Sequence, residues 1–320
     1  MKRKIALIVV LVVLGTGAAL ALFWNRPQEE AEDVTALMAE ASVLCDQGKY
    51  SQAEPLQKRI LAINEKSLGP DHPDTARSLN DLGIVYLEQG QYQQAQPLLK
   101  KALETREKSA GSDYASIAAS LNNLGMLHKL QGNYAAAEPF YRRALAIREK
   151  ELGPHHPYVA QSLNNLATVY YAQGEFGEAE ACFKRALAIK EKVLGSDAPA
   201  VATSLGNLAE VYRAQRNWAA AEPLYRRALE IDEKALGNEH ASVAIDLNNL
   251  ASLYCDQGKY SDAENLLNRS LAIMEKALGP DHPNVAGVLK SMALLSEAKG
   301  DKAKAETLRA RAAKITSQPR

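Results

Sequence analysis

The chain has 320 residues, with 38 Lys plus Arg against 38 Asp plus Glu and a formal net charge of zero. That balance offers no concentrated basic surface for phosphate, so nucleic acid is not an expected partner. The three cysteines, Cys45, Cys182 and Cys255, are too few and too scattered for a disulfide framework, and no C-x-x-C pair suggests zinc.

The first element predicted is a membrane helix. Lys2-Arg3-Lys4 precede an uncharged run from Ile5 to Trp24. Twenty helical residues span about 30 Å, which matches the hydrocarbon core of a bilayer. Cations stand before the run, and Glu29, Glu30, Glu32 and Asp33 follow it. The positive-inside rule therefore predicts a cytoplasmic N-terminus (1–4), one transmembrane anchor (5–24) and an acidic spacer (25–33), with the remainder outside the cytoplasm, periplasmic in a bacterium. The alternative is a signal peptide cleaved at Ala19-Leu20-Ala21, giving a secreted or periplasmic chain. Continuation of the apolar run through Leu22-Phe23-Trp24 favours the retained anchor.

From residue 34 onward the chain repeats every 42 residues. Glycine recurs at Gly48, Gly90, Gly132, Gly174, Gly258 and Gly300, with Arg216 at the skipped place. Leu37, Leu79, Leu121, Leu163, Leu205, Leu247 and Leu289 keep the same step. Seven units then fill residues 34–315, leaving 316–320 as a tail. A fixed period of this length is the mark of a stacked repeat array, in which each unit buries its apolar face against its neighbours.

Within a unit, Leu121, Leu124, Gly125 and His128 follow the i, i+3, i+4, i+7 spacing of one helix face. Gln131-Gly132 should end that helix, because glycine takes the left-handed conformation of a C-terminus. A second helix should run from about Tyr134 to Leu152. Pro55, Pro97, Pro139 and Pro223 sit a few residues into the second helices, where first-turn N–H groups lack partners. Ser51 with Glu54 and Ser261 with Glu264 have the spacing of a capping box. Pro73, Pro157 and Pro283 should open first helices, with the histidines before them as caps. Gly83, Gly125, Ala167, Ala209 and Ala251 on first helices face Ala95, Ala137, Ala179, Ala221 and Ala263 on second helices, so the two helices can approach closely.

The order Leu, Gly or Ala, Tyr, Gly, aromatic, Ala at these spacings resembles the tetratricopeptide repeat. Leu121-Asn122-Asn123-Leu124-Gly125, the stretch Tyr-Arg-Arg-Ala-Leu-Ala-Ile-Arg-Glu-Lys over 141–150, and Leu-Gly-Pro-Asp-His-Pro over 68–73 are similar to the kinesin-light-chain type. The resemblance implies an all-α fold, a right-handed superhelical solenoid of antiparallel helix pairs, here preceded by one transmembrane helix. It also implies that first helices line a concave groove. The coiled coil that accompanies the repeats in that family has no counterpart in this sequence.

No catalytic signature is present: there is no H-E-x-x-H, no G-x-S-x-G and no phosphate loop, so neither an enzyme nor a cofactor is implied. His72, His156, His240 and His282 come one per unit and cannot meet at one metal; capping is the expected role. The asparagines are the candidate site. Asn122 and Asn123, Asn164 and Asn165, Asn207, and Asn248 and Asn249 fall beside the apolar stripe, on the face that should open into the groove. A carboxamide donates and accepts at once, which suits the main chain of an extended peptide. The resemblance carries that role to Asn123, Asn165, Asn207 and Asn249.

Lys129, Tyr171 and Arg213 join the candidate groove, with Thr168, Glu210, Ser252 and Cys255 varying between units as specificity residues would. The same asparagines could instead only join neighbouring helices. Arg142-Arg143, Lys184-Arg185 and Arg226-Arg227 should lie on a solvated outer face. The expected function is a membrane-tethered scaffold that binds a peptide segment of a partner protein. The alternative is an assembly subunit that uses its convex face or self-association.

Overall fold

The structure, a computed structural model, describes residues 34–109 and 113–317. The expected N-terminus, membrane anchor and spacer (1–33) lie outside the described residues. Among the described residues no helix is long and apolar enough to cross a membrane. The single-pass localisation expected from the sequence is corrected accordingly. Every described helix alternates apolar and polar faces, the pattern of a helix that packs against protein on one side and meets water on the other.

The described residues form fourteen helices and no strand. The first helices are α1 (residues 34–46), α3 (Pro73–Glu88), α5 (Tyr114–Leu130), α7 (Pro157–Gln173), α9 (Pro199–Ala214), α11 (Ala241–Asp256) and α13 (Pro283–Ala298). The second helices are α2 (Tyr50–Leu68), α4 (Tyr92–Lys108), α6 (Tyr134–Leu152), α8 (Phe176–Leu194), α10 (Trp218–Leu236), α12 (Tyr260–Leu278) and α14 (Lys302–Thr316). The chain divides within α6 into two compact units, Met1–Ala144 and Leu145–Arg320.

Local chemistry sets the helix ends. His72, His156, His240 and His282 are all N-caps, and Nδ1 of each accepts from the N–H two residues on, at 3.1 to 3.2 Å. Asp113 does the same for α5, while Ala198 before α9 offers no side-chain acceptor. The expected capping boxes do not form. Lys49 and Lys259 are the N-caps of α2 and α12, which places Ser51 and Ser261 inside those helices. Glu54 instead receives Lys58 and Gln89, and Glu264 receives Lys299 and Lys304. Pro55 is likewise the sixth residue of α2, beyond the first turn, so its missing N–H removes a helical hydrogen bond that would otherwise form. At the C-terminus of α7, Gly174 has φ 80°; Arg216, after α9, takes φ 58° in the same role.

In the first unit, a Cβ added to Gly83 would lie 2.7 Å from Leu99, and one added to Gly125 would lie 2.8 Å from the Tyr141 ring. The absent side chains are what let α3 meet α4 and α5 meet α6. Leu37, Ala41 and Ile60 close the core between α1 and α2.

In the second unit the same contact places are held by Ala167, Ala209 and Ala251 opposite Ala179, Ala221 and Ala263, all fully buried. One core cluster runs from Ala209 and Tyr225 through Leu250, Leu253 and Leu267 to Met292 and Leu295. A second gathers Val243, Leu247, Ile273, Val285, Leu289 and Ile315. All three thiols are half-buried, and no disulfide forms among the described residues.

Polar ties repeat with the same period. On the second helices, Arg143 pairs with Glu107 at 2.6 Å, Arg227 with Glu191 at 2.7 Å and Arg269 with Glu233 at 2.7 Å, and Arg185 pairs with Glu149. The basic doublets therefore lie on a solvated face, as expected, and one arginine of each reaches the preceding second helix. Inside the second unit, Tyr212 Oη donates to Glu180 at 3.0 Å and Tyr254 Oη donates to Glu222 at 3.0 Å.

Candidate functional site

In each unit the first helices of successive pairs touch: α3 meets α5, α9 meets α11, and α11 meets α13. Successive second helices are joined instead by long side chains, Arg143 to Glu107 and Arg227 to Glu191. The first helices thus form the inner wall of the stack within each unit, and the candidate residues lie along it.

In the first unit, Asn123 Nδ2 donates to Asn80 Oδ1 at 2.9 Å, and Asn80 Nδ2 donates to Asp81 at 3.2 Å. That chain of carboxamides joins α5 to α3. Asn122 Nδ2 donates to the Ala118 carbonyl of its own helix at 3.0 Å. Lys129 is half-buried near the end of α5, and its carbonyl accepts from the Gly132 N–H at 2.9 Å.

In the second unit the two members of each asparagine pair differ. Asn164 Oδ1 and Asn248 Oδ1 are buried and receive no donor. Asn165, Asn207 and Asn249 are half-buried at the neighbouring position, and the Asn165 carbonyl accepts from Thr168 Oγ1 at 2.7 Å. Asn207 and Asn249 line a cleft of about 290 Å³ with Thr203, Gly206, Ser242 and Ile245. Gly206, the break in the asparagine pattern, opens this cleft: a Cβ added there would meet nothing within 4 Å. Neither the Asn207 nor the Asn249 carboxamide bonds to another described residue.

Tyr171 and Arg213 are brought together by a residue between them. Arg213 binds Glu210 through Nη2 at 2.7 Å and Nε at 2.9 Å, and reaches Asp256 through Nη1 at 2.7 Å. Tyr171 Oη and Tyr225 Oη donate to the same carboxylate, at 2.9 and 2.7 Å. Burial pushes the Glu210 carboxyl up, yet the Arg213 hydrogen bonds and charge, with those of the two tyrosines, hold it below the ordinary carboxylate range. Burial and the adjacent Glu210 charge push the Tyr171 hydroxyl up to about 12. This network fixes the wall across α7, α9, α10 and α11.

Two features of this wall are legible in the sequence only in retrospect. One is the glutamate at positions 54, 180, 222 and 264, on multiples of the 42-residue step, which receives a side chain from the following helix pair. The other is a pair of carboxylates, Asp232 and Asp246, which also line the cleft. Their signal is that they interrupt a register that is basic and hydroxylic in the three preceding units. Among the described residues no group of three or more His, Cys, Asp or Glu is placed to hold a metal ion.

Helix pairs stacked at a constant step, with a polar inner wall, define a helical-repeat protein of the kind that holds other proteins. The tetratricopeptide repeat profile matches residues 32–108, 116–192, 164–234, 200–276 and 242–318, and the chain belongs to that family. Among solved structures it is similar to BtubC (BKLC) from P. vanneervenii, with 26% identity and a TM-score of 0.58 over 72% of this chain and 95% of that one. It is also similar to a P. anserina protein described as a kinesin light chain with nearly identical TPR-like repeats, with 31% identity and a TM-score of 0.57 over 64% of this chain and 97% of that one. RapI in its apo form shares the fold, with 16% identity and a TM-score of 0.69 over 88% of this chain and 97% of that one. No curated protein matches the chain.

Proposed function

We propose that this protein is a non-catalytic scaffold that captures an extended segment of a partner protein along its wall of first helices. The observation that carries this reading is the cleft between α9 and α11, where Asn207 and Asn249 present carboxamides engaged by no other side chain or backbone group of the described chain. Such a pair can accept a peptide N–H and donate to a peptide carbonyl, fixing main chain without regard to sequence. Membership of the tetratricopeptide repeat family supports the reading, because these repeats are protein-interaction modules. Asn123 contributes less, since its carboxamide already holds Asn80.

A photo-crosslinking residue placed at Ile245, which is 45% exposed beside the cleft, tests the proposal in intact cells. The expected product is one reproducible partner segment, and Asn207→Ala with Asn249→Ala should reduce its yield about tenfold or more, as loss of two hydrogen bonds implies. An unchanged yield from the double variant, or the same partner trapped equally by a crosslinker at Arg226 on the opposite face, would favour assembly through the outer surface instead.

A further inference from the structure

One position on each second helix reaches the first helix fourteen residues on, and the 42-residue step makes its occupants comparable. Asn64 Nδ2 donates to Ser78 Oγ at 2.7 Å. Arg106 Nη1 donates to Ser120 Oγ at 2.6 Å and to the Ser116 carbonyl at 2.9 Å. Arg148 Nη1 donates to Ser162 Oγ at 2.8 Å and to the Tyr158 carbonyl at 3.0 Å. Lys190 Nζ donates to Ser204 Oγ at 2.8 Å and to the Ala200 carbonyl at 3.4 Å. In the next unit the two places are Asp232 and Asp246, and in the last they are Met274 and Val288. Three consecutive cation–serine pairs thus give way to two carboxylates.

The replacement inverts the chemistry of the cradle and leaves its frame intact. Asp232 is 4% exposed and Asp246 6%. Asp232 Oδ1 and Asp246 Oδ2 receive no hydrogen bond from any described residue. Buried acceptors without donors are uncommon because each forfeits its hydration. Ser242 stands where Tyr158 and Ala200 stand in the preceding units, so its carbonyl occupies the register that receives the cation there. Asp232, Asp246 and Ser242 line the same cleft as Asn207 and Asn249.

We infer that the Asp232–Asp246 pair receives a cationic head, ammonium or guanidinium, borne by a side chain of the captured partner segment. The head would take the place that Lys190 Nζ and Arg148 Nη1 take in their own units. The inference rests on peptide capture along this wall, and it adds to it a basic residue in the partner opposite α10 and α11. The other ionisable groups facing the pair are Glu210 on α9, Glu233 on α10 and His240 at the start of α11. Glu210 and Glu233 carry the same charge as the pair and are themselves held by Arg213 and Arg269, so neither supplies it with a counter-charge.

The probes are n-butylammonium and n-butylguanidinium, added to the full chain at pH 8 with the carboxyl carbons of aspartate observed by NMR. The expected result is a saturable shift of the Asp232 and Asp246 signals with one or both cations, and none with n-butanol. Asp232→Arg combined with Asp246→Ser rebuilds the Arg148–Ser162 arrangement from within. That variant should stay folded and weaken crosslinking of the partner at Ile245 about tenfold or more, the scale of a lost charged hydrogen bond. The wild-type response separates ammonium from guanidinium as the preferred head. Saturation by Ca2+ at lower concentration than by either organic cation would make the pair a metal site and overturn the inference. So would no shift with any cation, or partner capture unaffected by the double variant. Loss of capture in the asparagine variants alone, with butylammonium shifts unchanged, supports both readings; capture insensitive to the asparagines, with the shifts intact, removes only main-chain capture.

Discussion

Asp246 couples the stability of this fold to pH below neutrality. Burial, and then the charge and hydrogen bonding of Asp232, raise its carboxyl to about 7, far above the ordinary aspartate range. Between about pH 4 and 7 the folded chain therefore keeps a proton that the unfolded chain has released. Stability falls as pH rises through that window and levels off above it. Asp246→Asn should abolish that slope and raise stability at pH 8 by up to about 4 kcal/mol, at about 1.4 kcal/mol for each unit of displacement. Urea denaturation at pH 5 and pH 8 checks it; an unchanged slope would place the titration elsewhere. Arg216 is a second residue-scale case. It adopts φ 58° where neighbouring units use glycine, a conformation that costs a side-chain-bearing residue about 1 kcal/mol. Arg216→Gly should recover about that amount, read as a higher denaturation midpoint.

At the scale of elements, the joint between a second helix and the following first helix is built three ways. Arg148 with Ser162 is polar, Asp232 with Asp246 is acidic, and Met274 with Val288 is apolar and almost fully buried. Breaking one partner of a buried polar pair is costly, whereas replacing both by apolar groups of similar size often is not. Arg148→Met alone should therefore destabilise by about 2 kcal/mol, and Arg148→Met with Ser162→Val should restore most of it. A double-mutant cycle in urea measures the coupling. If the double variant were as unstable as the single, the guanidinium would be acting through the Tyr158 carbonyl and ring rather than through the serine.

At the scale of the whole molecule, helix pairs contact mainly their neighbours, so protection should grade along the chain instead of being uniform. The most continuous core described runs through α9 to α13. Hydrogen exchange should be slowest in α11, which packs on both sides, and faster in α1 and α14. Equal protection in all fourteen helices would show global two-state unfolding in its place.

The 42-residue step and the helical spacing of Leu121, Leu124 and Gly125 were enough to name the helices, the glycine ends and the family, because these depend on local propensity and on burial of one helix face. The histidine caps were legible for the same reason: the bond that His240 Nδ1 accepts from the Ser242 N–H spans two residues. The capping boxes failed because Glu54 and Glu264 found better partners on the next helix, at separations of 35 residues, where sequence spacing says nothing. Sequence alone set the asparagines on one face. Only the packed helices divided them into Asn123, spent on Asn80, and Asn207 and Asn249, left facing a cleft. The Asp232–Asp246 pair belongs wholly to tertiary structure, since two carboxylates fourteen residues apart become neighbours, and one of them holds its proton near neutral pH, only when α10 packs on α11 and excludes water from both.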